Sequence, residues 1–179
     1  MMDLTMKHGL RLILPLNLFA FGVFLLGLSF ILPRISMADL GRETGLEVPR
    51  FVSLSSNKIN VRAGPGRRYP IKWIFQRQNL PVKIIAEFDT WRKIKDHEGI
   101  EGWVHQRMLS GRRWVFILGE NVIIRKERSL TAQGVARLEP GVMAQLEGIS
   151  GDWCLVEAGS YTGWLLKTDV WGTIANKER

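Results

Sequence analysis

The stretch Asn60-Val61-Arg62-Ala63-Gly64-Pro65-Gly66 decides the fold. A short run of alternating character ends in Gly-Pro-Gly, which is how a brief strand is stopped by a tight turn. Its echo lies downstream at Ile123-Ile124-Arg125. The tryptophans extend the match. Trp91 is followed by Gly102-Trp103-Val104, and Trp153 by Gly163-Trp164-Leu165. The three offsets, Arg62 to Arg125, Trp91 to Trp153 and Trp103 to Trp164, are 63, 62 and 61 residues. Anchors that drift by one residue each mark an internal repeat of about sixty residues, a period that has to be settled before any other fold reasoning.

Each copy reads as short strands. In the first they are Ile59 to Ala63, Lys72 to Gln76, Val82 to Phe88, Trp91 to Asp96 and Glu101 to His105. Asp89-Thr90 and His97-Glu98-Gly99 supply turns, and one turn of helix is expected at Gln106 to Leu109. In the second they are Val122 to Arg125, Gly134 to Leu138, Val142 to Gly148, Trp153 to Glu157 and Tyr161 to Leu165. Five short strands with frequent turn signals predict a small barrel. The fold class is therefore all-β, with two tandem small barrels at 51–111 and 112–173. A single ten-strand sandwich is the rival arrangement. Residues 39–50 hold Gly41, Gly45 and Pro49 without alternation and read as a linker, and 174–179 as a tail.

The motif Asn60-Val61-Arg62-Ala63-Gly64-Pro65-Gly66, with Trp91, Ile94 and Gly102-Trp103-Val104, resembles a bacterial SH3 domain. The second copy is similar but divergent, with Lys126-Glu127-Arg128 where the Gly-Pro turn would stand. The resemblance implies two five-stranded SH3-like barrels, export, and a non-catalytic role in binding peptidoglycan or another envelope component. The acidic loop and tyrosine-rich groove with which eukaryotic SH3 domains hold proline-rich peptides are missing, so that activity is not carried over.

The N-terminus agrees with export. Lys7, His8 and Arg11 precede an uncharged, mostly apolar run from Leu12 to Pro33. Ser36 and Ala38 stand where a signal peptidase accepts small residues, so residues 1–38 read as a signal peptide cut after Ala38. The run is also close to the ~20 residues that span a bilayer, so an uncleaved anchor helix is the alternative. In both cases the positive start stays inside and the remainder is exported, to the periplasm or held at the inner membrane. The only cysteine, Cys154, is too far away for a lipoprotein anchor and leaves no intrachain disulfide.

Charge is uneven between the copies. Residues 51–112 carry twelve Lys and Arg against five Asp and Glu, whereas residues 113–179 carry eight of each. An anionic partner is thus expected on the first barrel. Arg67, Arg68 and Tyr69 beside the Gly-Pro-Gly turn, with Trp73, Trp91 and Arg92, form the candidate ligand site, and Lys93 and Lys95 add charge. Strand parity puts Ile94 and Val156 in the core and Trp91 and Trp153 on the outer face, as contact surface or as cover for a neighbour. Trp103 and Trp164 are expected to fill a barrel end, with Gly102 and Gly163 admitting close backbone approach. Trp73 shares a face with Phe75, and Ile74 lies opposite.

Catalysis finds little support. Cys154 with His105 is the one pairing that offers a nucleophile and a base, the makings of a cysteine-dependent wall hydrolase. Cys154 sits on the inferred core face, however, and two barrels use up the exported chain. His97-Glu98 matches no zinc-hydrolase motif, and no phosphate-cradling loop is present. No cofactor or metal is expected. Export argues against nucleic acid, although a basic aromatic barrel is how single strands are held. The partners expected are peptidoglycan or, for a scaffold role, an envelope protein.

Overall fold

The computed structural model describes residues 39–173. The expected signal or anchor helix at 1–38 and the tail at 174–179 lie outside the described residues. Among the described residues no helix is long and apolar enough to cross a membrane.

The chain opens with β1 (Asp39–Leu40) and β2 (Glu47–Val48). The first barrel follows as β3 (Arg50–Leu54), β4 (Ile59–Arg62), β5 (Ile71–Phe75), β6 (Pro81–Phe88), β7 (Trp91–Lys95), β8 (Glu101–His105) and β9 (Leu109–Ser110). A single 3-10 turn at Gln106–Met108 joins the last two. The second barrel runs β10 (Trp114–Ile117), β11 (Val122–Arg125), β12 (Gly134–Leu138), β13 (Met143–Ser150), β14 (Trp153–Ala158), β15 (Tyr161–Leu166) and β16 (Val170–Trp171). Its 3-10 turn is Lys167–Asp169.

Each barrel is one antiparallel sheet. The orders are β5-β4-β8-β7-β6-β3-β9 and β12-β11-β15-β14-β13-β10-β16, identical in topology. Two separate sheets replace the rival ten-strand sandwich. The sequence missed the opening strands β3 and β10 and the two-residue strands β9 and β16 that pair back onto them. Long β6 and β13 carry matched bulges, after Ile84 and after Leu146, and a bulge bends a strand so that it can curl around a small core.

The repeat offsets reappear inside. Ile59, Val61, Val82, Ile84, Ile94 and Val104 are buried in the first barrel. Val122, Ile124, Ala144, Leu146, Val156 and Leu165 hold the matching places in the second. Gly102 and Gly163 sit where strands press together. A Cβ at Gly163 would lie 2.5 Å from the Arg125 carbonyl oxygen, and one at Gly102 would lie 2.9 Å from that of Arg62. Only glycine admits the approach of β8 to β4 and of β15 to β11.

Small barrels bury a modest share of their surface, and here they share apolar contacts. Phe116 and Met143 of the second pack on the core of the first. His97 lies 3.9 Å, ring to ring, from Phe116, and Phe51 meets Trp171 edge-on at 4.8 Å. Arg77 Nη2 donates to the Gly141 carbonyl at 2.6 Å.

Residues 39–50, read as a linker, instead carry the β1–β2 ladder, in which Asp39 pairs with Val48 and Leu40 with Glu47. Glu87 ties the hairpin to the barrel. Its buried carboxylate accepts from the Glu43 and Thr44 N–H groups at 3.1 Å, from Thr44 Oγ1 at 2.8 Å and from Arg50 Nη2 at 2.6 Å. Burial alone would raise its pKa. The hydrogen bonds from Arg50, Thr44 and Glu43 outweigh that and lower it from 4.5 to about 2. A depressed carboxylate pKa contributes stability that is complete above about pH 4.5 and lost as pH falls toward 2. The thermal midpoint of the natural chain is therefore expected to fall across that window more steeply than that of Glu87→Gln. Parallel curves would show that this clamp is not what acid breaks.

Candidate functional site

Parity along β7 and β8 builds one outward surface. Arg92, Ile94, Gly102 and Val104 are buried, so Trp91, Lys93, Lys95, Glu101, Trp103 and His105 face outward. The register pairs Trp91 with His105, Lys93 with Trp103 and Lys95 with Glu101. Trp91 meets the His105 ring edge-on at 5.6 Å. Glu101 accepts from Lys93 at 2.9 Å and from Lys95 at 3.3 Å. Hydrogen bonds from Lys93 and then Lys95 lower its pKa, so part of the positive charge on this face is already balanced.

The Gly-Pro-Gly loop springs from β4 next to this surface, because Arg62 pairs with Trp103. The Arg62 guanidinium donates to the Tyr69 carbonyl at 2.8 Å and the Arg67 carbonyl at 3.1 Å, which fixes the loop. The Tyr69 ring folds onto Gly64, where a Cβ would lie 2.6 Å from ring carbons. Arg68 reaches the Tyr69 hydroxyl at 3.4 Å, with its guanidinium 5.2 Å from the ring centre. Arg67 and Arg68 remain exposed.

The six candidate residues therefore divide. Arg67, Arg68 and Tyr69 share the loop, and Trp91 lies on the outer face that the loop adjoins. Trp73 does not join them. It pairs with core-facing Val61, as Phe75 pairs with Ile59, so it points to the opposite side of the sheet. There it is 50% exposed, beside a groove of ≈340 Å³ lined by Ile74, Phe75, Arg77, His97 and Phe116. Arg92 departs furthest from the expectation. It is 3% exposed, on the same strand face as Ile94. Its guanidinium donates to the Asp89 carbonyl at 2.7 Å, the Trp91 carbonyl at 2.9 Å and Gln106 Oε1 at 2.8 Å, and its Nε lies 3.4 Å from Glu87. These partners leave it no free donor face for a ligand.

Trp103 and Trp164 also differ from the expectation. Both lie half-buried on outer faces, not at barrel ends. The signal was available: each follows a buried glycine in a strand, so parity turns it outward.

In the second barrel the matching loop borders a cavity of ≈670 Å³, walled by Trp153 and Trp164 together with Lys126, Glu127, Arg128 and Ser129. The Arg128 guanidinium stands 5.3 Å from the Trp164 ring centre and donates to Ser150 Oγ.

Cys154 is fully buried, and desolvation pushes its thiol up to about 11. His105 belongs to the outer face of the other barrel, so the nucleophile and the base stand apart. Among the described residues no group of three or more His, Cys, Asp or Glu could hold a metal ion.

Comparison with known proteins agrees with this architecture. The family described as "Bacterial SH3 domain" matches residues 55–111 and again residues 119–172. None of the curated proteins matches the chain. Solved structures of NlpC2 and NlpC1 from Trichomonas vaginalis are similar at 10% and 12% identity, over 70% and 73% of this chain, with TM-scores of 0.33 and 0.31. The chain spans about half the length of each, 48%.

Arg92→Ala is expected to act on folding, because it takes the donor from the Asp89 and Trp91 carbonyls and from Gln106 Oε1 and empties a buried site. Leaving buried acceptors unsatisfied costs roughly 1–3 kcal/mol. Chemical denaturation measures the change, and a loss within error of zero would return Arg92 to the surface.

Proposed function

Because the chain belongs to the bacterial SH3 domain family, we propose that it is an exported, non-catalytic binding protein that recognises an anionic cell-envelope polymer, with peptidoglycan as the leading ligand. The observation that carries this reading is the outer face of the first barrel. There Trp91 and Trp103 stand beside a loop that projects Arg67 and Arg68, in a segment with seven more basic than acidic residues. Indole faces stack on sugars or on extended peptide, and the arginines attract carboxylates. The positive field raises the rate of encounter with an anionic wall. Export is supported by the charged start and uncharged run of residues 7–33. A binding role is further supported by Cys154, whose burial and raised pKa keep the thiol protonated and out of reach.

A second reading, a scaffold that binds an envelope protein, is favoured by β5. This edge strand exposes Ile71 (44%), Trp73 (50%) and Ile74 (46%), and an apolar free edge invites a partner strand.

The two readings separate in a pull-down on isolated cell wall. Full-length protein is expected to be retained at low salt and released as salt screens the contact. The variant Trp91→Ala/Arg67→Ala/Arg68→Ala is expected to bind at least about tenfold more weakly, a loss of about 1.4 kcal/mol. Retention of the variant at the natural level, or no retention of either protein, would defeat the first reading. A discrete polypeptide released by Trp73→Lys in place of wall binding would favour the second.

A further inference from the structure

The two loops rest on the same base but fill it differently. In the first barrel Arg62 donates to the Tyr69 carbonyl, and the Ala63 N–H donates to the Pro70 carbonyl at 3.0 Å. In the second, Arg125 donates to the Ala132 carbonyl at 2.8 Å, and the Lys126 N–H donates to the Gln133 carbonyl at 3.0 Å. These bonds equate Tyr69 with Ala132, Gly64 with Glu127 and Gly66 with Ser129. In the first barrel the Tyr69 ring lies on Gly64, and a Cβ added at Gly66 would lie 3.4 Å from a ring carbon. In the second a methyl group replaces the ring, and Glu127 and Ser129 line open space. The second loop therefore lacks this ring as a plug.

What it uncovers has the size and the lining of a binding site. The cavity of ≈670 Å³ falls within the ~300–1,000 Å³ usual for small ligands. Half-buried Trp153 and Trp164 supply indole surface. Ser129, Ser150 and Glu127 can exchange hydrogen bonds with hydroxyl groups. Arg128 and Lys126 bring two cations to the rim, and the bond from Arg128 to Ser150 already holds the guanidinium across the mouth.

We propose that this pocket is a second ligand site and that it takes a saccharide bearing a carboxylate. A pyranose ring offers an apolar face to stack on indole and hydroxyls at its rim. One carboxylate suits the fork of Arg128 with Lys126 nearby. A polyphosphate fits poorly, because Glu127 lines the same cavity and residues 113–179 carry no net charge. The site rests on the contrast between the two loops, not on the wall-binding surface of the first barrel, so each can fail without the other.

Titration calorimetry of the full chain tests it with three probes: trigalacturonate, the disaccharide of N-acetylglucosamine and N-acetylmuramic acid, and neutral chitobiose. Binding of one or both acidic saccharides is expected, and whichever binds identifies the carboxylate as uronic or lactyl. Chitobiose is expected to bind at least about tenfold more weakly, the difference that one charge-assisted contact of about 1.4 kcal/mol makes. Arg128→Gln should bring the acidic saccharides down to the level of chitobiose. The exchange Glu127→Gly/Ala132→Tyr, which restores the plug and leaves the sheet alone, should abolish binding, while Trp91→Ala/Arg67→Ala/Arg68→Ala should leave it intact. Equal binding of neutral and acidic probes, binding that survives the plug, loss confined to the first-barrel variant, or no binding at all would each overturn the proposal.

Discussion

Each barrel depends on one close backbone approach. β4 meets β8 at the single pair Arg62–Trp103, and β11 meets β15 at Arg125–Trp164. Gly102 and Gly163, one residue before each tryptophan, allow that meeting by having no side chain. The approach decides two further things. It turns the following indole outward, because the glycine occupies the inward position. It also sets an arginine at the base of the loop, where its guanidinium satisfies loop carbonyls that would otherwise lack a partner. A loop anchored in this way can change its tip without disturbing the sheet. The first copy uses Gly-Pro-Gly with a tyrosine plug, and the second uses Glu127-Arg128-Ser129 with none.

The barrels are not beads on a string. A core built from eight or eleven buried residues is small; Phe116 and Met143 extend the first core, and His97 meets Phe116 and Trp171 across the junction. Arg77 adds a hydrogen bond to Gly141 and lies 5.6 Å from the Phe116 ring centre. The same packing leaves β5 exposed at its free edge and creates the groove beside Trp73. That residue therefore belongs to the junction side of the first barrel and not to the outer face with Trp91.

Most of the fold was legible because its signals are local. Gly-Pro-Gly, Asp89-Thr90 and the repeated Gly-Trp pairs place turns and strands within a residue or two. Asp89 confirms its turn with φ of 48°, a left-handed conformation that Asp tolerates. Opening strands such as Arg50–Leu54 were not legible, since their register depends on partners more than twenty-five residues away in Pro81–Ile84. The hairpin at 39–48 was hidden for a similar reason, as its anchor is the distant Glu87 carboxylate. Arg92 is more instructive. The repeat equates it with Cys154, and parity from Ile94 also turns it inward. Its charge was the misleading feature, because its ion partner Glu87 and its acceptor Gln106 come from β6 and the 3-10 turn, where no local pattern announces them.

Divergence between the copies reads as a division of roles. Long-range attraction needs only net charge, and the first barrel holds the excess of it, with Arg67 and Arg68 on a loop against which Tyr69 packs. On the proposed reading, such a surface gathers anionic partners quickly but distinguishes little among them. Discrimination needs shape, hydrogen-bonding groups and a charge that acts at short range, and these occur together in the neutral second barrel, around Trp153, Trp164 and Arg128. A cavity walled by both signs of charge repels a ligand whose anionic groups are misplaced, which is how specificity arises without high net charge. On the proposed reading one tyrosine-to-alanine difference separates the two tasks, because the arginine beneath the loop keeps the frame unchanged.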